Sequence, residues 1–442
     1  MTDPRHLNAL ATAGNRRARS TRALATTLAV ALIPLGAASA AAAGSAAPAA
    51  KSTTKSPAVD IGKPGLPEKR SVTKLAPGVS VTTIVRGGAP ARAGAINTTP
   101  YGPWRIRVAT IEPGRAKGQL RTAIGYDLAH SETVSTLGTW SRSLVAMNGS
   151  FFAFTRSKAY PGDPLGLAVN GGTIVSEPMR VAGHVGLLMD STSKKLRMGS
   201  YTWTATLTGS TPGNTREVLA VGAVNSPPVV PADCTLPGSA GCTSRGSVIR
   251  FTPHWAKTTP AGVGSEVVLG KDGCVVRATP RRGTALTPAQ TSIQATGTSA
   301  ARLLELAGSG CPAFSETLRD GSGKAVKLTP TTFGVTGRYR LLADGKNVAP
   351  SGSSAFLRRH PRSIMGSTAD GTVMMVTIDG RSTLSVGATL VEAASVARSL
   401  GMTNAVNLDG GGSTAMAVRG KVLNRLSEGR ERAVGDAVVF MP

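Results

Sequence analysis

Residues 407–414 read Asn407-Leu408-Asp409-Gly410-Gly411-Gly412-Ser413-Thr414. The short apolar run from Ala405 to Leu408 has strand character, so a strand delivers Asp409 to three consecutive glycines. A backbone without Cβ atoms can approach a ligand closely. It also presents successive N–H groups, which form a nest for an anion. A carboxylate beside such a nest suits a ligand that is a sugar on one side and a phosphate on the other. The loop is not a P-loop, because Gly-Lys-Ser/Thr is absent.

Two further stretches share this character. Ser143 to Met147 is a short buried strand that runs into Asn148-Gly149-Ser150-Phe151-Phe152. Asn148 places an amide at a strand end, and the phenylalanines serve either a core or a sugar face. The third stretch begins at His360-Pro361-Arg362-Ser363-Ile364-Met365-Gly366 and continues through Asp379-Gly380-Arg381 to Ser385–Glu392. Arg362 can grip a phosphate with its planar fork. Asp379 ends a strand at Gly380, which is also where a turn aspartate sits. Glu392 stands three residues after Thr389, the spacing of a capping box.

Outward from these motifs the chain is rich in strand signals. Trp104–Ala109 alternates with period two, and 167–175 reads as a hairpin around Asn170-Gly171. Two helices stand out, at about 300–306 and 390–400, with Thr389 as N-cap and Gly401 as the C′ residue of the second. Gly (53) and Pro (28) are spread along all 442 residues, which favours turns and short strands over a helical bundle. The expected fold class is α+β: a single large strand-rich domain over 71–442, with a mixed sheet and a few packing helices.

The first forty residues carry Arg16, Arg17, Arg19 and Arg22, then an apolar run from Ala23 to Ala38 and the small residues Ala38-Ser39-Ala40. That is the pattern of a cleaved secretory signal. Residues 41–70 are Ala, Ser, Pro, Thr, Lys and Gly with few large apolar residues, the composition of a linker. Cys234, Cys242, Cys274 and Cys311 fit disulfides formed outside the cytosol. Of the three pairings, Cys234–Cys242 with Cys274–Cys311 closes the shortest loops. A zinc site is disfavoured, because no C-x2-C spacing and no suitably placed histidine accompany them. His130, His184, His254 and His360 match neither a nucleophile elbow nor H-E-x-x-H.

The formal charge is +26, and removing 1–40, with its five arginines and one aspartate, leaves +22. Such a charge favours an anionic partner. Nucleic acid is disfavoured, since aromatics are 4% and no basic run interleaves with them. No stretch reaches the length of a membrane-spanning helix.

With these motifs in this order, followed by Asn424 and Glu431-Arg432, the sequence resembles the phosphodiester glycosidase family over about 80–442. The resemblance implies a secreted hydrolase that cleaves a glycosidic bond whose leaving group is a phosphate ester. Its substrate would be an extracellular or cell-wall glycan. It implies Asp409 as the carboxylate nearest the anomeric carbon, with Glu392 or Asp379 as the second carboxylate. Arg362, Arg432 and the Gly410, Gly411 and Gly412 amides, with Ser413, would hold phosphate. Asn148, beside Gly149, and Asn407 would orient sugar hydroxyls. No cofactor is required by this chemistry, although Ca2+ or Mg2+ accepts such hard oxygen ligands as Asp409 or Asp379. The other reading is a non-catalytic protein of the same fold that binds an anionic polysaccharide.

Overall fold

The computed structural model describes residues 57–154, 158–211, 213, 215–235 and 241–442. The signal-like segment 1–40 and the linker up to residue 56 lie outside them. The compact unit spans Ser56–Pro442. The linker expectation does not hold for 57–70. Val59 and Ile61 are buried in the core, and the first strand opens at Glu68. Val59, Ile61 and Leu66, scattered among Lys, Pro and Gly, are too sparse a signal to reveal that packing.

Among the described residues, the scaffold is a strand-rich domain of several sheets and three short helices. Its main sheet has eight strands, ordered Glu68–Ala76, Val79–Arg86, Trp104–Ile111, Val373–Ile378, Arg362–Thr368, Met402–Asn407, Arg340–Ala343, Lys346–Asn347. Every pairing in it is antiparallel. Both faces are covered, so successive residues enter different cores. Ile106 and Val108 face one core while Ala109 and Ile111 face the other; Val376 and Ile378 oppose Val373 and Met375 in the same way. On the first side packs helix α3, Leu390–Ser399, through Leu390, Ala393, Ala394 and Ala397. On the second side pack two five-stranded sheets. One contains Val145–Asn148, Met416–Val418 and Ala437–Met441; the other contains Thr332–Arg338 and His184–Asp190.

The sheets are antiparallel almost throughout. Among the described strands, the mixed character rests on one parallel pairing, Ala223–Val224 with Val248–Phe251. That pairing belongs to a lobe built from a three-stranded and a five-stranded sheet around helix α2, Ser299–Ala307, with its own apolar core. The disulfides Cys234–Cys242 and Cys274–Cys311 lie there, in the pairing with the shortest loops.

Helix α3 forms as its sequence dictates. Thr389 Oγ1 accepts from the Glu392 N–H at 3.1 Å, and Glu392 Oε2 accepts from the Thr389 N–H at 2.9 Å. Gly401, at φ 91°, ends it. Helix α1, Val134–Trp140, has no such local signal. Its seven residues VSTLGTW hold a glycine and few strong helix formers. Thr133 caps it, and the carboxylate of Glu431, 296 residues away, accepts from the Ser135 N–H at 3.0 Å. The hairpin at 168–176 turns on Gly171-Gly172, at φ 56° and 82°, one residue later than Asn170-Gly171.

One buried acid lies outside the motifs. Burial, and then the charge of Glu177, push Asp163 up to about 8. The folded state therefore holds a proton that the unfolded chain releases near pH 4. Stability contributed by this group is complete below pH 4 and is lost as the pH rises toward 8. The slope is at most about 1.4 kcal/mol per pH unit. Asp163→Asn keeps a neutral group in place and should flatten that slope between pH 5 and 8 in urea melts. Parallel slopes for both proteins would exclude this assignment.

Candidate active site

The glycine loop joins the main sheet to the second sheet, since it connects strand Met402–Asn407 with Met416–Val418. All three motifs meet there. The Asp409 N–H donates to the Gly149 carbonyl at 3.1 Å, and Asn148 Nδ2 donates to the Asp409 carbonyl at 2.6 Å. The Leu408 N–H donates to Ser363 O, and the Gly411 N–H to Pro361 O, each at 2.9 Å. Asn148 Oδ1 accepts from Ser363 Oγ at 2.7 Å and from the Ala415 N–H at 3.2 Å. The buried Asn148 amide thus ties the three segments together.

The loop's own shape uses part of the expected nest. The Gly410 N–H donates to Asp409 Oδ1 at 2.8 Å, and Gly411 already serves Pro361. Gly411 sits at φ 60°, where a side chain is disfavoured. Ser413 and Thr414 are buried beneath the loop.

Two carboxylates flank Gly149-Ser150. Asp409 lies on one side. On the other is Asp436, whose Oδ1 accepts from the Ser150 N–H at 2.6 Å. A Cβ on Gly149 would overlap that same oxygen. Burial pushes Asp409 up to about 6, against the Ser413 hydroxyl, the Gly410 N–H and Arg432, while the nearby Asp436 charge adds to the rise. Asp436 is likewise raised to about 6 by burial, against its bonds to Ser150. Asp436 was not among the sequence candidates, and its only signal was a Gly435-Asp436 step at the mouth of a strand.

The other candidate carboxylates have partners of their own. Asp379 is buried and raised to about 6 by desolvation, with the Arg425 N–H 3.1 Å from Oδ2 and Arg107 among the groups pulling it down. Its Oδ1 has no hydrogen-bond partner among the described residues. Glu392 is engaged twice, by the α3 cap and by an ion pair with Arg359 at 2.5 Å. Asn407 donates from Nδ2 to Leu408 O at 2.9 Å and Arg338 O at 3.2 Å. Its buried Oδ1 is unpartnered among the described residues.

Cations and rings line the rest. Arg362 is only 2% exposed, and its guanidinium donates to the carbonyls of Ala388 at 2.9 Å and of Phe356 and Arg358 at 2.8 Å. Burial lowers it to about 10. Arg432 pairs with Glu428, lies against Gly412 and stacks 5.0 Å over the exposed ring of Phe154. Phe151 and Tyr339 lie 6.0 and 5.7 Å from Phe356, over which Arg338 stacks at 4.9 Å. Among the described residues, no three His, Cys, Asp or Glu side chains gather as a metal site.

Residues 264–441 match the family model of phosphodiester glycosidases. Over these residues the chain is similar to that family. The matched segment contains Arg362, Asp379, Asp409, Arg432 and Asp436, and it leaves Asn148 and Gly149 outside. An uncharacterised prophage-derived protein of Bacillus subtilis, YomE, is 48% identical over 82 residues. That stretch is 19% of this chain and spans only 13% of the relative's length. Among solved structures, a Burkholderia pseudomallei protein superposes with TM-score 0.70 at 24% identity, covering 87% of this chain and 98% of its own. A hypothetical protein of Synechocystis gives 0.59 at 20% identity, covering 86% and 68%. At these identities the two likenesses concern the fold.

Proposed function

We propose that this protein is a hydrolase of sugar-1-phosphodiesters, acting outside the cell on a phosphate-containing glycan. Water adds at the anomeric carbon, and the bond from that carbon to the phosphate oxygen breaks. A free sugar and a phosphomonoester result. The observation that carries this reading is the placement of Asp409 against the glycine loop with Arg432 beside it.

The chemistry fits those residues. A phosphate ester leaves readily, so protonation of the leaving group matters less than in ordinary glycoside hydrolysis. The larger need is an anionic group facing the oxocarbenium-like carbon and a cation facing the departing phosphate. Asp409, as carboxylate, serves the first and Arg432 the second. Asp436 raises the proton affinity of Asp409 across Gly149. Asp379 remains the candidate to activate water, because one of its oxygens is unengaged. Glu392 is the weaker choice, since its carboxylate already holds the helix cap and Arg359. Arg362 holds the chain beside the loop through three carbonyls, and the Phe151–Phe356–Tyr339 cluster offers ring faces to a sugar.

Export rests on the signal-like residues 1–40 and on the two disulfides, which persist in oxidising compartments. Among the described residues, no helix is long and apolar enough to cross a membrane. The basic charge favours the second reading, a polysaccharide-binding protein without turnover. Incubation with a sugar-1-phosphodiester of a simple alcohol separates the two. Release of reducing sugar with an equal amount of phosphomonoester supports the hydrolase. Binding without release supports the binding protein.

A further inference from the structure

Further cationic groups gather at Gly411, next to the Gly412 that Arg432 touches. Arg381 lies against Gly411, and its Nη2 is 3.4 Å from His360 Nδ1. Arg381 also adopts φ 58°, a left-handed conformation that costs a side-chain-bearing residue energy and collects at functional sites. Arg362 binds the Arg358 carbonyl, so Arg358, His360, Arg362 and Arg381 form one cluster. Burial lowers the proton affinity of His360, and the charges of Arg362, Arg381 and Arg358 lower it further.

The cluster has little internal compensation. Among the described residues, neither Arg358, Arg362 nor Arg381 has a carboxylate within ion-pair distance. Glu392, the nearby acid, is committed to Arg359. Like charges held together without a counter-charge raise the energy of the empty site, and an anion relieves that. Arg358 and Arg381 are exposed, so an anion can reach them.

The geometry points to a second anion subsite at Arg358, His360 and Arg381, which takes a further phosphate on the leaving-group side of the substrate. This rests on the proposed function, in which Asp409 and Arg432 serve the reacting bond at the neighbouring Gly410 and Gly412. The preferred substrate is then one whose aglycone carries a second phosphate. A sugar linked through a diphosphate meets that description, and so does one unit of a repeating phosphodiester polymer.

The test compares three substrates with the same sugar-1-phosphate. One bears a neutral alcohol, one a diphosphate linkage, and one a glycerol phosphate beyond the phosphodiester. The wild type should favour one or both doubly charged substrates by about tenfold in kcat/KM, the worth of one charged hydrogen bond. Which of the two it favours distinguishes diphosphate from polymer. In Arg358→Ala/Arg381→Ala that ratio should fall toward one, and Arg381→Lys should keep part of it. Equal ratios in wild type and variant would overturn the subsite, as would no preference in the wild type.

Binding gives a readout independent of turnover. Calorimetry should show pyrophosphate binding tighter than inorganic phosphate in the wild type, and equal affinities in the double variant. If no substrate is turned over yet this difference holds, the subsite stands and the hydrolase reading fails. If the two affinities are equal in the wild type, the subsite fails. Matching melting temperatures establish that the variants are folded.

Discussion

Asp409→Asn should lower turnover of a sugar-1-phosphodiester by about 10³-fold, the scale of a positioned catalytic carboxylate. The amide keeps the size of the group but removes the negative charge that faces the oxocarbenium-like carbon. The pH dependence gives an independent check. Asp409 is raised to about 6 by burial, with Asp436 contributing. As an ionised carboxylate it loses its role when protonated, so kcat/KM should fall as the pH drops through about 6. Turnover in the variant equal to wild type would remove Asp409 from the chemistry. A rate that instead falls above pH 6 would make it a proton donor.

Gly149→Ala should be the most damaging single methyl in the site. The new Cβ overlaps Asp436 Oδ1, and that oxygen cannot retreat without losing the Ser150 N–H at 2.6 Å. The Gly149 carbonyl also receives the Asp409 N–H, so any backbone shift moves Asp409. Overpacking of this kind costs about 1–3 kcal/mol of stability. A displacement near 1 Å costs about 10²-fold in rate. Gly412→Ala makes a useful contrast. Its Cβ meets only the ends of the Glu428 and Arg432 side chains, which can swing aside. Denaturant melts on both variants test this ordering. A Gly149→Ala protein as stable as Gly412→Ala would contradict it.

Much of the site was legible because its parts are local. The strand that ends at Asp409, the three glycines and the Asn148-Gly149 step each announce themselves within eight residues. The capping box of α3 did the same, and Glu392 carried two readings from the start, a helix-cap residue and a second carboxylate. A glutamate at N3 is equally a cap residue, and only the Arg359 ion pair shows how fully it is engaged. Asp436 was hidden for a different reason. Its role depends on the register that sets Ala437 opposite Asn148, a pairing across 289 positions of sequence. Arg362 reads in the sequence as a grip for phosphate, but its guanidinium donates to three carbonyls of chain that folds back over it. Helix α1 was missed because its capping carboxylate, Glu431, belongs to the far end of the chain. The fold class followed from glycine, proline and alternating strands. The split into two cores across one sheet followed from long-range pairing that no local pattern carries.

The bond that breaks decides between hydrolysis at the sugar and hydrolysis at phosphorus. Hydrolysis of a sugar-1-phosphodiester in water enriched with 18O, followed by mass spectrometry of both products, identifies it most directly. Cleavage at the anomeric carbon puts the heavy oxygen in the released sugar and leaves the phosphomonoester unlabelled. Because reducing sugars exchange that oxygen slowly with water, the unlabelled phosphate is the decisive signal. The account predicts phosphomonoester without 18O. Label in the phosphate would mean attack at phosphorus, and would contradict the assignment of Asp409 and Arg432.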